Sequence, residues 1–195
     1  MRKLKLQVQI SLDGFVAGPN GEMDWMNMNW DQVLTNYVTD LTNSVDTIVL
    51  GKNLATGFIP YWKGVASNPA DPQHEAGKIF TGMPKVVFST TMDKLDPIGP
   101  GWDNATIAKN IVEDINELKK QAGKDIIAYG GARFVAGLIA HDLIDEYHFF
   151  VNPVILGRGM AIFKEVEKKK LELVKATTSK AGIVILHYFP KQNES

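Results

Sequence analysis

Asp125-Ile126-Ile127-Ala128-Tyr129-Gly130-Gly131-Ala132-Arg133-Phe134-Val135 changes its period halfway along. The first five residues are a short, mostly apolar run suited to a strand buried on both faces, and the run stops at two glycines. Beyond them Phe134, Val135, Leu138 and Ile139 recur at helical spacing. Strand, glycine turn, helix is the unit from which α/β folds with parallel sheets are built. Glycines at such a turn let the backbone approach a ligand, and the free amides of the helix start favour a phosphate. A tight turn without a ligand explains the pair equally well, because two glycines alone are a weak signal.

The same grammar extends outward in both directions. Leu4, Leu6, Val8 and Ile10 alternate with Lys5, Gln7 and Gln9, which predicts a strand with one face buried. It enters a turn-rich loop through Asp13-Gly14 and Gly18-Pro19-Asn20-Gly21. Val33, Leu34, Tyr37, Val38 and Leu41 predict an amphipathic helix over 31–44, followed by a short strand over 46–50 that ends at Gly51-Lys52. Residues 57–84 are rich in proline and glycine and read as a long excursion. Strands are expected over 85–89 and 105–108. A helix is expected after Asn110, which stands as an N-cap ahead of Ile111, Ile115, Leu118 and Ala122. Three strands over 146–156, 171–177 and 183–189 close the chain, the last two joined at Lys180-Ala181-Gly182. The expected architecture is one α/β domain over 1–195, with a mixed, mostly parallel central sheet and an antiparallel C-terminal hairpin.

The chain has 195 residues, enough to bury a core without a metal or disulfide staple. It contains no cysteine, which excludes structural disulfides, zinc–thiolate sites, iron–sulfur clusters and Cys nucleophiles. Its net charge is −1, with the cations dispersed, so no electrostatic argument favours nucleic acid or an anionic membrane. No apolar stretch approaches the length of a membrane span, and no signal-peptide pattern follows the basic N-terminus; a cytoplasmic protein is expected.

Three strand ends carry chemistry suited to a long phosphorylated ligand: Gly130-Gly131-Ala132-Arg133, Gly51-Lys52 and Ser89-Thr90-Thr91. Gly157-Arg158-Gly159 lacks the third glycine of a dinucleotide fingerprint. No zinc-protease helix and no Gly-x-Ser-x-Gly elbow is present. His148 and His187 fall in predicted strands and read as structural, and no metal-ligand spacing is found. The acidic candidates for proton work are Asp13, Asp24, Asp31 and Glu146; Asp13 reads first as a turn former, and Asp31 as a helix cap or first-turn acid.

Ile10-Ser11-Leu12-Asp13-Gly14-Phe15-Val16-Ala17-Gly18, Thr47-Ile48-Val49-Leu50-Gly51-Lys52 and Tyr129-Gly130-Gly131-Ala132-Arg133-Phe134 together resemble a known family. Leu143-Ile144-Asp145-Glu146 and Asn152-Pro153-Val154-Ile155-Leu156-Gly157-Arg158-Gly159-Met160-Ala161-Ile162-Phe163 extend the resemblance. It is to the dihydrofolate reductase-like reductase domain of bacterial bifunctional riboflavin deaminase-reductases, here as a stand-alone member. The resemblance implies a three-layer α/β/α fold and NADPH lying across the strand ends. Gly130, Gly131, Ala132 and Arg133 would then serve the pyrophosphate turn, Gly51 the second cofactor turn, and Lys52, Ser89 and Thr90 the adenosine-phosphate side. The loop 17–23, beginning at Ala17, would cover the nicotinamide. Lys52 stands where arginine is usual, and Leu54 where dihydrofolate reductases have a phosphate-binding threonine. The implied reaction is hydride transfer to a pteridine, flavin precursor or aminopyrimidine, with Asp31, then Asp24, as the proton-handling carboxylate. A dihydrofolate reductase proper and a non-catalytic nucleotide- or pterin-binding protein are the alternatives. A homodimer is expected, from the resemblance and from the apolar runs at 149–151 and 183–186.

Overall fold

The computed structural model describes residues 1–92, 101–164 and 166–191. Its main sheet has eight strands: β1 (Leu4–Ile10), β3 (Val45–Gly51), β4 (Lys85–Phe88), β5 (Ala105–Ala108), β6 (Asp125–Ala128), β7 (Glu146–Val151), β9 (Leu171–Thr178) and β10 (Val184–Pro190). The spatial order is β5-β4-β3-β6-β1-β7-β10-β9. The first six strands in that order are mutually parallel, and β10 and β9 add antiparallel at one side. Six parallel strands place their carboxyl ends along one edge, where open α/β sheets bind ligands.

Helices α1 (Gln32–Asn43), α2 (Lys52–Ala66) and α3 (His74–Gly82) cover one face, and α4 (Ile111–Lys120) and α5 (Ala132–Ala140) the other. Side-chain alternation along β3 makes the division visible. Ile48 and Leu50 pack with Ala55, Ile59 and Phe80, whereas Val49 lies in the cluster of Ile115, Val135 and Leu138. The alternation read in β1 holds too: Leu4, Leu6, Val8 and Ile10 join the α5-side core. Burial is not confined to that face as expected: Lys5 and Gln7, on the other, are buried as well, because β1 is an inner strand of a sheet with helices on both faces.

Residues 57–84 are not an excursion. They hold most of α2 and all of α3, despite Gly57, Pro60 and Gly64. Ala55, Ile59 and Val65 supply a buried stripe on α2, and Phe58, Trp62 and Phe80 pack ring against ring beneath it. Pro60 removes the hydrogen bond to the carbonyl of Thr56, but Thr56 is exposed, so water can solvate that carbonyl. Burial of one apolar face outweighs the local breakers.

β7 stops at Val151 rather than continuing to 156, because Pro153 has no N–H for the ladder. A second, small sheet pairs β2 (Phe15–Ala17) with β8 (Met160–Ala161) antiparallel. A Cβ on Gly159 would fall 2.3 Å from the carbonyl oxygen of Ala17, so the Gly157-Arg158-Gly159 segment owes its last glycine to this pairing.

Candidate functional site

Strand ends and helix starts converge at the carboxyl edge. The N–H of Gly51, closing β3, donates to the carbonyl of Gly130, just past β6, at 3.1 Å. Gly130 has φ +142° and Gly131 φ +72°, with ψ 116° at the latter. L side chains rarely adopt such angles. A Cβ on Gly131 would sit 3.4 Å from the Cα of Gly51, and one on Gly130 3.3 Å from Leu54. The two turns therefore touch, and α2 and α5 begin side by side.

Side-chain caps separate these two starts from those of α1 and α4; α3 also lacks one, but it follows α2 rather than a strand end. Asp31 caps α1 by accepting from the N–H of Leu34, and Asn110 caps α4 by accepting from Val112 and Glu113. α2 and α5 start at Gly51 and Gly131, and neither has a side-chain cap. The first N–H groups of a helix have no partner within it, and the macrodipole adds partial positive charge there. Lys52 and the exposed Arg133 stand in the first turns of these two helices. Lys52 donates to the hydroxyl of Thr91 at 3.0 Å, bringing the end of β4 to the same edge.

Ser89 and Thr90 lie at that end but in different roles. The hydroxyl of Ser89 is buried and accepts from the N–H groups of Thr91 and Met92, so it shapes the turn itself. Thr90 is exposed. Thr91, grouped with them in sequence but given no role, is the hydroxyl that meets Lys52. Ala17 is buried in the small sheet, and the loop after it folds back through Gly18 N–H to the carbonyl of Glu22.

The carboxylates are dispersed by the fold. Asp13 accepts from the Ser11 hydroxyl and from the N–H groups of Leu156 and Gly157, pinning the loop after β7 to the turn after β1. The Ser11 hydrogen bond chiefly holds its carboxyl below the usual range. Asp24 is exposed on the loop between β2 and α1. Glu146 opens β7, five residues, or about 16 Å of strand, from the carboxyl end.

Asp31 corrects an expectation. A carboxyl that hands on a proton near neutral pH needs a raised pKa; that of Asp31 is lowered, first by the N–H of Leu34 and also by that of Lys180, which donates at 2.6 Å. A carboxylate accepting backbone N–H groups favours its charged form. Asp31 thus ties the start of α1 to the turn between β9 and β10. A depressed carboxyl contributes stability above its unfolded pKa near 3.8, and the contribution fades as pH falls below that value. Asp31→Asn should keep the bond from Leu34 but oppose an amide donor or a poorer acceptor to Lys180. We expect an unchanged turnover and a lowered thermal midpoint at pH 7, the deficit shrinking toward pH 3. A hundredfold fall in turnover would instead assign Asp31 the proton.

Asn152 was quoted in sequence without a role. Buried at the end of β7, it accepts from the N–H of Asn27 at 3.1 Å and donates to Gln9 at 2.8 Å and to the carbonyl of Phe150. It fastens the loop before α1 to the sheet, beside Trp30, whose ring stacks on Phe150. A cleft of about 280 Å³ lined by Ile139, Tyr147, Phe163 and Leu171 lies on the α5 face of β7, away from these residues.

The fold is an open, mostly parallel α/β sheet whose carboxyl edge gathers two uncapped helix starts, an arrangement with free backbone donors suited to an anionic group. The chain belongs to the RibD C-terminal domain family, whose model matches residues 2–185. It is 34% identical over 191 residues to the uncharacterized protein YyaP of Bacillus subtilis, covering 96% of this chain and 94% of that one. Among solved structures, a riboflavin biosynthesis protein from Shewanella sp. PV-4 superposes with TM-score 0.70 at 21% identity, covering 97% of this chain and 99% of the other. The deaminase/5-amino-6-(5-phosphoribosylamino)uracil reductase of Thermotoga maritima superposes with TM-score 0.67 at 18% identity, covering 97% of this chain and 57% of that one. The fold is therefore the dihydrofolate reductase-like fold expected, and the family is the expected reductase-domain family.

Proposed function

We propose that the protein is a cytoplasmic reductase that uses NADPH to reduce a small, electron-poor heterocycle of the aminopyrimidine, pteridine or flavin-precursor type. The observation that carries this reading is the pair of adjacent helix starts at Gly51 and Gly131, neither capped by a side chain. Family membership and the reductase named among the structural neighbours support it.

The residues present fit the cofactor. Backbone N–H groups at Gly131, Ala132 and Arg133 would hold the pyrophosphate where any side chain on Gly130 or Gly131 would intrude. Lys52, with Ser89, Thr90 and Thr91 around it, would hold the adenosine phosphate. Gly51 allows the close approach of the two turns, and the segment from Ala17 to the exposed Asp24 would cover the nicotinamide end. When bound, the cofactor supplies the hydride; the protein orients the two rings, excludes water and delivers a proton. Asp24 is ranked ahead of Asp31 for the proton, because Asp31 is engaged by two backbone donors.

The test is loss of reduced-cofactor absorbance with a panel of aminopyrimidines, pteridines, flavin precursors and dihydrofolate, alongside direct NADPH titration. Failure to bind NADPH would end the reading. A charge-assisted contact from Lys52 to the 2′-phosphate is worth about 1.5 to 3 kcal/mol, so NADPH should bind at least tenfold more tightly than NADH. Lys52→Ala should erase most of that preference, measured as the ratio of the two affinities.

The partners we propose are this small-molecule substrate and a second copy of the chain, with neither nucleic acid nor membrane. No helix among the described residues is long and apolar enough to cross a membrane.

A further inference from the structure

We propose that Glu146, His148 and His187 bind one divalent transition-metal ion of the zinc type, clamping β7 to β10 at a site separate from the cofactor edge. Glu146 and His148 are two residues apart on β7 and so share a face. His187 stands directly opposite His148 in the antiparallel register, and the two rings stack with centroids 4.3 Å apart.

Both Nε2 atoms face one carboxylate oxygen. Oε2 of Glu146 lies 3.5 Å from Nε2 of His148 and 3.6 Å from Nε2 of His187. These separations are long for hydrogen bonds. They are close to what a shared ion requires: bonds of about 2.0 to 2.2 Å in tetrahedral geometry set two ligand atoms about 3.3 to 3.6 Å apart. All three donor atoms lie within 4.8 Å of one another. Neither Nε2 has a hydrogen-bond partner, although the His148 side chain is only 4% exposed. Two buried imidazole nitrogens, each held only by a long ion-pair contact to the same carboxylate oxygen, form a coordination set that a shared ion would complete, the near-parallel rings, 22° apart, turning toward it.

The surroundings orient the set. Nδ1 of His148 lies 2.7 Å from the hydroxyl of Tyr37. With the proton on Nδ1, donated to that hydroxyl, Nε2 presents its lone pair toward Glu146, as outer partners do for metal-bound histidines. Lys3 donates to the other carboxylate oxygen at 2.7 Å, leaving Oε2 for the ion. Lys5, a buried cation nearby, is paired with Asp125 at 3.0 Å and donates to Ser44. His187 is 17% exposed although its Nε2 is buried, so the strand pair lies near the surface on that side and an ion would enter by movement of this side chain. Two imidazoles and one carboxylate suit zinc and its cobalt substitute better than magnesium or calcium.

The experiment uses tag-free protein stripped with EDTA, then titrated with zinc by calorimetry and with cobalt(II) by visible absorption. One equivalent per chain is expected, with d–d bands of low-symmetry cobalt and a thermal midpoint that rises with zinc concentration. His187→Gln and Glu146→Gln should each remove the binding and the midpoint rise, while His74→Gln, at a histidine far from the cluster, leaves both intact. Circular dichroism without metal verifies that the variants are folded. Absence of saturable binding in the parent, or binding that survives His187→Gln, overturns the proposal.

Discussion

Gly131→Val is expected to abolish NADPH binding and to lower stability by about 3 kcal/mol. Gly131 has φ +72° and ψ 116°, a conformation a β-branched residue reaches only under strain. Its Cβ would stand 3.4 Å from the Cα of Gly51, and the added methyl groups would fill the space between the two helix starts. Because strain and occlusion act together, Arg133→Glu separates them. Arg133 is exposed in the first turn of α5, where an acidic residue favours the helix dipole. That variant should fold as well as the parent and still bind NADPH more than tenfold more weakly, since it sets a negative charge beside the proposed pyrophosphate site. Fluorescence titration with chemical denaturation of each variant gives both quantities. Unchanged affinity in both variants would move the cofactor away from this turn.

The parent protein is expected to be a dimer, and Leu173→Lys with Val174→Lys is expected to halve its mass by light scattering. The apolar runs first taken to need a partner are largely covered within the chain. Phe150, Ile183 and Ile185 are buried with Leu34 of α1, and Phe149 lies in the α5-side core. What remains uncovered is β9, which ends the sheet with eight residues, Leu173 53% exposed and Val174 46% exposed. A long edge strand with exposed apolar side chains pairs with another chain unless charge or cover prevents it. Lysines on both faces should block that pairing without disturbing the core. A monomeric parent at micromolar concentration would remove the dimer, and a variant that keeps the parent's dimer mass would place the interface elsewhere.

Fold class and the succession of elements along the chain were legible wherever a segment's period agreed with its burial. The β1 alternation, the Asn110 cap and the β6–glycine–α5 unit all form as read. Proline and glycine between 57 and 84 misled because local propensity says nothing of the ring cluster Phe58, Trp62 and Phe80, whose members meet only when α3 packs on α2.

The site divides along the same line. Glycines at 51, 130 and 131 were visible in sequence, since a turn between strand and helix is local chemistry. That two of these turns touch, and that their helices lack side-chain caps, depends on β3 and β6 being neighbours in the sheet. Asp31 shows the limit most clearly. Its cap to Leu34 lies three residues away and could be read from spacing, whereas its bond from Lys180 spans 149 residues and adds to the lowering of its carboxyl that the cap begins. His148 and His187 are likewise separated in sequence and opposed only by the β7–β10 register. Period, caps and turns act between near neighbours, so most elements and their succession could be read from the residues alone, the exceptions being α2, α3 and the small β2–β8 sheet. Charge environment and ligand sets arise from groups brought together across the sheet, and they emerge only when the strands pair.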